Sequence, residues 1–221
     1  MKKYAFLAML LAFCMLCGCG KTTVVGMTTT KTEEKPTEQE NPSSATTEEP
    51  ASSEEMITTA YADIVIKDYG TITAELDGTV APETVKNFVK LAESGFYDGL
   101  TFHRIIAGFM IQGGDPLGNG TGGSDEKIVG EFAANGIENN LKHTRGVLSM
   151  ARAQDPNSAS SQFFIMHQDA PHLDGSYAAF GCVTEGIEIV DAICEDAQPV
   201  DGNGTIPADA QPVIESITIR S

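Results

Sequence analysis

The chain has 221 residues, with 14 Lys or Arg against 31 Asp or Glu and a formal net charge of −17. Residues 58 to 221 hold 9 of the basic and 23 of the acidic side chains, a net of −14. A globular part this acidic repels phosphate backbones, which argues against nucleic acid as a partner and against electrostatic docking on an anionic membrane. The hydrophobic fraction of 41% is enough for a core of ordinary size.

The first residues read as an export signal. Lys2 and Lys3 form a positive start, and Tyr4 to Leu16 form an apolar run too short for a comfortable membrane span. The run ends Leu16-Cys17-Gly18-Cys19, which resembles a bacterial lipoprotein signal. The resemblance implies a signal over residues 1–18 and lipidation of Cys19. It also implies a mature chain tethered by acyl groups to the cell membrane, facing the extracytoplasmic side. The rest of segment 19–57 is rich in Thr, Ser, Glu and Pro and nearly free of large apolar residues. Such a stretch cannot bury enough surface to offset its ordering entropy, so a disordered linker is expected.

A globular domain is expected over 58–221. Ala62–Lys67 and Thr71–Leu76 read as strands. In the second, Ile72, Ala74 and Leu76 alternate with polar residues, giving one buried and one wet face. Asp68-Tyr69-Gly70 reads as the hairpin turn between them. Pro82 to Ser94 reads as a helix, with Pro82 in its first turn, Gly95 at its exit, and Val85, Phe88, Val89 and Ala92 on one stripe. Ala81 offers no capping side chain, so tertiary packing must hold that helix start.

Phe102 to Asp115 comes next, a stretch with one cation, Arg104, among Phe102, Ile105, Ile106, Phe109, Met110 and Ile111. A core strand would not carry an unpaired charge and a solvated loop would not carry so many large apolar side chains. The mixture suits the wall of an apolar pocket with a positive group projecting into it. Further strands are expected over Gly146–Ala151, Gln162–Met166, Tyr177–Val183 and Pro212–Arg220, the last with Val213, Ile217 and Ile219 inward. A second helix is expected over Gly186–Cys194, with Ile187, Val190 and Ile193 inward. Many short strands and two helices predict a mainly β fold, a closed or nearly closed antiparallel sheet with helices at its ends. Cys182 and Cys194 fall in the globular part; the sequence leaves their pairing open, with two free thiols the preferred reading.

The usual catalytic motifs are missing. Gly118–Gly123 lacks the Lys-Ser/Thr of a phosphate loop, and there is no nucleophile elbow. His103, His143, His167 and His172 have no metal-ligand spacing, so neither a metal nor a cofactor is expected. His103 alternates with Phe102 and Arg104 and reads as a structural residue on the opposite face. What remains is an apolar slot, one Arg and one or two amides. Rotation about a peptidyl-prolyl bond needs no more than this: its barrier of about 20 kcal/mol is the loss of amide resonance, with no bond made or broken. Arg104 would donate to the twisted amide, and Gln112 would orient Arg104 or bond the substrate.

Phe102-His103-Arg104-Ile105-Ile106, Gly108-Phe109-Met110, Gln112-Gly113-Gly114-Asp115, Gly120-Thr121-Gly122-Gly123, Ser161–Ile165 and Leu173-Asp174-Gly175 occur in one order. Together they resemble the cyclophilin-type peptidyl-prolyl isomerases over residues 61 to 220. The resemblance implies a closed eight-stranded antiparallel barrel capped by two helices. It implies Arg104 and Gln112 as the catalytic residues, Gln112 bonding the substrate backbone and supporting the arginine, and Phe109, Met110, Phe164 and Leu173 as walls of the proline pocket. Ala151 and Gln162 match the adjoining groove, which Gly120 borders. His172 stands where many eukaryotic members have Trp, Tyr177 where they have His, and Arg152 where they have Asn; His172 and Tyr177 are counted with the substrate-binding set. The implied partner is a proline-containing polypeptide and the implied state a monomer. The competing reading is a proline-segment-binding chaperone in which turnover is incidental.

Overall fold

The computed structural model describes residues 57–221. The expected signal, the lipidation site Cys19 and the linker as far as residue 56 lie outside the described residues.

The first hairpin is β1 (Thr59–Ile66) and β2 (Gly70–Asp77), joined through Asp68 in the left-handed region (φ 66°). Its alternation is the one the sequence gives away: Ala60, Ala62, Ile64 and Ile66 face Ile72, Ala74 and Leu76 on the buried side. Helix α1 (Pro82–Glu93) buries Val85, Phe88, Val89 and Ala92. Its start is capped from far along the chain. The Glu131 carboxylate accepts from the backbone N–H of Glu83 and of Thr84 and from the Thr84 hydroxyl, at 3.1, 2.8 and 2.6 Å. An anion at the positive end of the helix satisfies donors that Ala81 cannot.

Strands β3 (Thr101–Ile106) and β4 (Met110–Asp115) form the second hairpin, so the mixed Phe102–Asp115 stretch is two strands joined by a tight turn. Both are bulged. Gly114, at φ 79°, packs so close to Ser161 that a Cβ would sit 2.6 Å from that residue's carbonyl oxygen, and it is skipped in the pairing. On the other strand His103 is the extra residue, so Phe102 and His103 are both buried and the strict alternation expected there breaks. Beyond the bulge the period returns: Ile105 faces Ile111 on the core side, and Arg104 faces Gln112 on the other.

The remaining strands are β5 (Val147–Met150), β6 (Phe163–Met166), β7 (Ala179–Glu185) and β8 (Ile214–Arg220); helix α2 (Ile187–Asp196) follows β7 and buries Val190, Ile193 and Cys194. Tyr177 lies before β7 rather than in it. In β8 a bulge opposite Val65 and Ile66 shifts the inward positions, so Ile214 and Ile217 are the buried pair while Val213 and Ile219 are partly exposed. Cys182 is exposed, Cys194 buried, and both thiols are free.

One antiparallel sheet runs β3-β4-β6-β5-β7-β2-β1-β8. The expectation of a closed barrel is corrected here: β3 and β8 are the two edges of an open, curled sheet, and no ladder joins them. The chain facing β3 is the irregular stretch before β8, which carries Pro199, Pro207 and Pro212. Prolines donate nothing to a ladder, so the seam has only isolated bridges, Thr101 to Val213 and Arg104 to Thr205. Helix α1 packs on β8 and β2, and α2 on β2. The concave side is filled by Phe88, Tyr97, Phe102, Phe163 and Phe180, with Phe163 edge-on to Phe88 and Tyr97. Each such side chain contributes about 1.5–3 kcal/mol through removal from water. A second, smaller cluster sits on the other face of β4, β5 and β6 and contains Met110, Val147, Phe164, Met166 and Leu173.

Candidate active site

The smaller cluster is the floor of a cavity of about 240 Å³. Met110 on β4 and Phe164 on β6 line it, together with Phe109, Leu173, Tyr177 and Ala151. Two guanidinium groups, Arg104 and Arg152, stand at its rim with Gln112. Strand alternation accounts for the floor: Phe163 points into the core and Phe164, the next residue, points out to the cavity.

Arg104 is held at the rim from several directions. Its Nε donates to the Asn203 carbonyl at 2.7 Å, and Nη1 donates to the Gln112 Oε1 at 3.2 Å and approaches the Met110 sulfur at 3.7 Å. The guanidinium lies 6.0 Å from the Phe109 ring centroid. Gln112 Nε2 donates to Gln162 Oε1 at 2.9 Å, and Gln162 Nε2 donates to the Gly122 carbonyl at 2.7 Å. The chain fixes both amide orientations, because each Oε1 must accept and each Nε2 must donate. Burial pulls the Arg104 guanidinium below its ordinary value, against the opposing influence of Tyr177 and Asp201. An arginine so far above neutrality stays charged regardless, and the partial desolvation strengthens its field inside the cavity.

The walls have supports that no local pattern in the sequence reveals. Phe109 sits on the turn between β3 and β4. His167 Nδ1 accepts from the Gly108 N–H at 2.7 Å, and the His167 N–H donates to the Phe109 carbonyl at 2.9 Å. Asp191 on α2 meets His167 Nε2 at 3.1 Å and takes a two-pronged pair of 2.7 Å bonds from Arg145. Phe164 is stacked on the buried His143 ring at 6.1 Å and meets Tyr177 edge-on at 6.0 Å. His143 bridges Asp174 (Nδ1, 3.1 Å) and Ser149 (Nε2, 3.0 Å). The carboxylate can only accept, so Nδ1 carries the proton and Nε2 accepts from the serine hydroxyl. Burial holds the His143 ring below its ordinary value, with Asp174 opposing.

The structure therefore brings Arg104, Gln112, Phe109, Met110, Ala151, Phe164, Leu173 and Tyr177 to one cavity. Gln162 is placed one hydrogen bond away, in the neighbouring cavity. His172 is exposed and stacks on the outer side of Phe109 at 5.8 Å, away from the lining. His103 is buried, neither of its ring nitrogens has a hydrogen-bond partner among the described residues, and it packs near Gly120 rather than in the slot. Sequence reasoning missed Arg152 as a lining residue, the Asn203 carbonyl behind Arg104 and the His143 and His167 supports; each depends on a contact 24 residues or more away in the chain.

A small cavity with an apolar floor and a fixed guanidinium beside it has the features of a site that acts on a bound group by electrostatics and shape. Comparison with known proteins agrees. Residues 61–221 match the family model described as cyclophilin type peptidyl-prolyl cis-trans isomerase/CLD. A peptidyl-prolyl cis-trans isomerase of Helicobacter pylori strain J99 is 49% identical over 141 residues, covering 63% of this chain and 83% of the relative. One from Synechococcus elongatus is 52% identical over 118 residues, 53% of this chain and 77% of the relative. A crystal structure of a Cryptosporidium parvum cyclophilin type peptidyl-prolyl cis-trans isomerase, determined in the presence of the dipeptide Ala-Pro, superimposes with a TM-score of 0.64 at 36% identity. It covers 73% of this chain and 99% of that one. The chain belongs to the cyclophilin-type peptidyl-prolyl cis-trans isomerases, and rotation about peptidyl-prolyl bonds is the reaction it catalyses.

Proposed function

We propose that Arg104 is the catalytic group and that the slot bounded by Phe109, Met110, Phe164, Leu173 and Tyr177 holds the proline ring. The observation that carries this is the Arg104–Gln112–Gln162 hydrogen-bonded chain, which aims a rigid charged donor across the mouth of an apolar cavity. A planar prolyl amide has no lone pair on nitrogen to accept a hydrogen bond. As the bond twists, resonance is lost, the nitrogen becomes pyramidal and its lone pair appears. A guanidinium donating to that lone pair, or to the adjoining carbonyl, binds the twisted state more strongly than either planar isomer, and only such differential binding lowers the barrier. The apolar floor removes competing water and keeps the ring in register with the donor.

The test is Arg104→Ala in an isomerisation assay on a proline peptide. The expected loss in kcat/KM is about 100- to 1,000-fold, the size of removing one preorganised donor to a developing charge, with peptide binding largely retained. An unchanged rate would sink the role of Arg104. Loss of turnover with intact folding assistance in cells would favour the proline-segment chaperone reading instead.

The clients are exported proteins, and the domain stands on a lipid anchor at Cys19 on the outer side of the membrane. This part of the proposal rests on the Lys2-Lys3 start, the Tyr4–Leu16 run and the Leu16-Cys17-Gly18-Cys19 ending. A Cys19→Ser chain is expected to leave the membrane fraction on cell fractionation and to stay unlabelled by fatty acid. Membrane retention of that variant would remove the anchor from the proposal. A monomer is the state proposed, since a single chain supplies the whole slot.

A further inference from the structure

Beside the slot lies a second cavity, of about 350 Å³; Gln112, Ala151 and Arg152 line both. Gly120–Ser124, Lys127, Ser158 and Ser160 also line it. The domain carries 23 acidic side chains, yet no Asp or Glu lines either cavity. Elsewhere among the described residues the cations tend to be neutralised: Lys90 by Glu126, Lys142 by Asp174, Arg145 by Asp191 and Arg220 by Asp63. Arg104, Arg152 and Lys127 have no carboxylate within ion-pair distance among the described residues.

Arg152 is built in rather than loose. Its guanidinium lies between the rings of Phe132 and Tyr177, 5.0 and 4.7 Å from their centroids. Its Nε and Nη2 donate to the Ser176 carbonyl at 3.1 and 2.8 Å, and its Nη1 donates to the Ala153 carbonyl at 2.9 Å. Carbonyl groups satisfy the donors and hold the fork still, but they leave its full positive charge uncompensated. The result is a fixed charge lining both cavities and a second, exposed cation, Lys127, lining the second.

We infer that the second cavity selects substrates in which a residue flanking the proline carries a carboxylate, an Asp or Glu side chain. The inference rests on the isomerase reading of the slot, because it assumes that the proline ring occupies the neighbouring cavity. An extended chain seated there carries its neighbouring side chains past Arg152 toward Lys127. A carboxylate then gains two attractions in a groove that the rest of the acidic surface cannot supply, whereas a lysine is repelled.

The test uses proline peptides that differ only in one flanking residue, Glu, Gln or Lys, placed at each of the positions within three residues of the proline. The full-length protein is used at low salt. Exchange NMR gives kcat/KM, and the same titration gives Kd. At one flanking position the order Glu over Gln over Lys is expected, with Glu favoured over Lys by about five-fold, the scale of partly exposed ion pairs. Half-molar salt should shrink that ratio toward one. Lys127→Glu should reverse it, and Arg152→Gln should reduce it. Ratios within one variant cancel any general loss of activity or stability. Equal values for the three peptides at every position, or a preference untouched by Lys127→Glu, overturn the inference. Because Kd is read without turnover, a Glu preference in binding with no isomerisation of any peptide would defeat the isomerase reading while sustaining the charge preference.

Discussion

Phe163 and Phe164 are adjacent in the chain and serve opposite purposes. Phe163 is enclosed on the concave side of the sheet, edge-on to Phe88 and Tyr97. Phe164 is nearly as inaccessible, 5% exposed against 0%, but its ring lines the cavity beside Arg104 and stacks on His143. The same residue type with nearly the same burial is thus enclosed by the sheet in one case and lines a cavity in the other. Burial alone does not separate core from site; what separates them is whether the far side of the ring meets protein or an opening.

Three experiments press on that contrast. The largest expected effect is in the pair itself. Phe163→Ala should lower unfolding free energy by about 3–5 kcal/mol, the cost of deleting an enclosed ring and leaving a void. Phe164→Ala should cost less stability, since its cavity already opens to water, yet reduce kcat/KM by about ten- to a hundred-fold. Urea melts and isomerisation rates on both variants read the two columns; equal stability losses with equal activity would erase the distinction. Next in size is Gln112→Leu, which leaves the slot apolar but removes the acceptor for Arg104 Nη1. A fall in kcat of roughly ten-fold with little change in KM is expected, the size of one charge-assisted hydrogen bond. A change confined to KM would place Gln112 on the substrate rather than behind the arginine.

The smallest effect concerns acid. Burial holds both His103 and His143 below the ordinary histidine value. The unfolded chain therefore binds more protons than the folded one between the depressed values and about 6.5, so stability is full above about pH 6.5 and declines as pH falls below it. Melting temperature measured from pH 8 to pH 5 should drop on the acid side, and His103→Gln should flatten part of the drop. The slot side would be distinguished by His143→Gln, which should flatten the drop and also disturb the Phe164 floor. A melting temperature that rises on acidification would contradict the assignment.

Those two histidines also mark how far the sequence could be read. The β1–β2 hairpin was legible because Ile72, Ala74 and Leu76 alternate cleanly, and α1 because Pro82 and an apolar stripe define it. Arg104, Gln112 and Phe109 stood out in the sequence because a cation among apolar residues has few physical explanations, whereas Phe164, Leu173 and Tyr177, far along the chain, were singled out only through the family resemblance. The bulge at His103 was not, since the inserted residue is fixed by what β4 can pair with rather than by its own neighbours. Neither the Glu131 cap, 47 residues from Thr84, nor the Asn203 carbonyl behind Arg104, 99 residues away, leaves any local trace. The open seam between β3 and β8 follows from prolines visible in the sequence, but only once the strand order says which segment faces β3.

That strand order has a consequence for how the protein comes into being. β1 pairs with β8, bringing Ile64 opposite Ile217, and Arg104 leans on residue 203. The opening strand therefore waits for β8 before its second neighbour exists, and Arg104 lacks its Asn203 contact until that part of the chain arrives. At a synthesis rate of 5–20 residues per second the wait is on the order of ten seconds. By its own topology the protein is among the slow ones to mature, because its contacts are so distant along the chain.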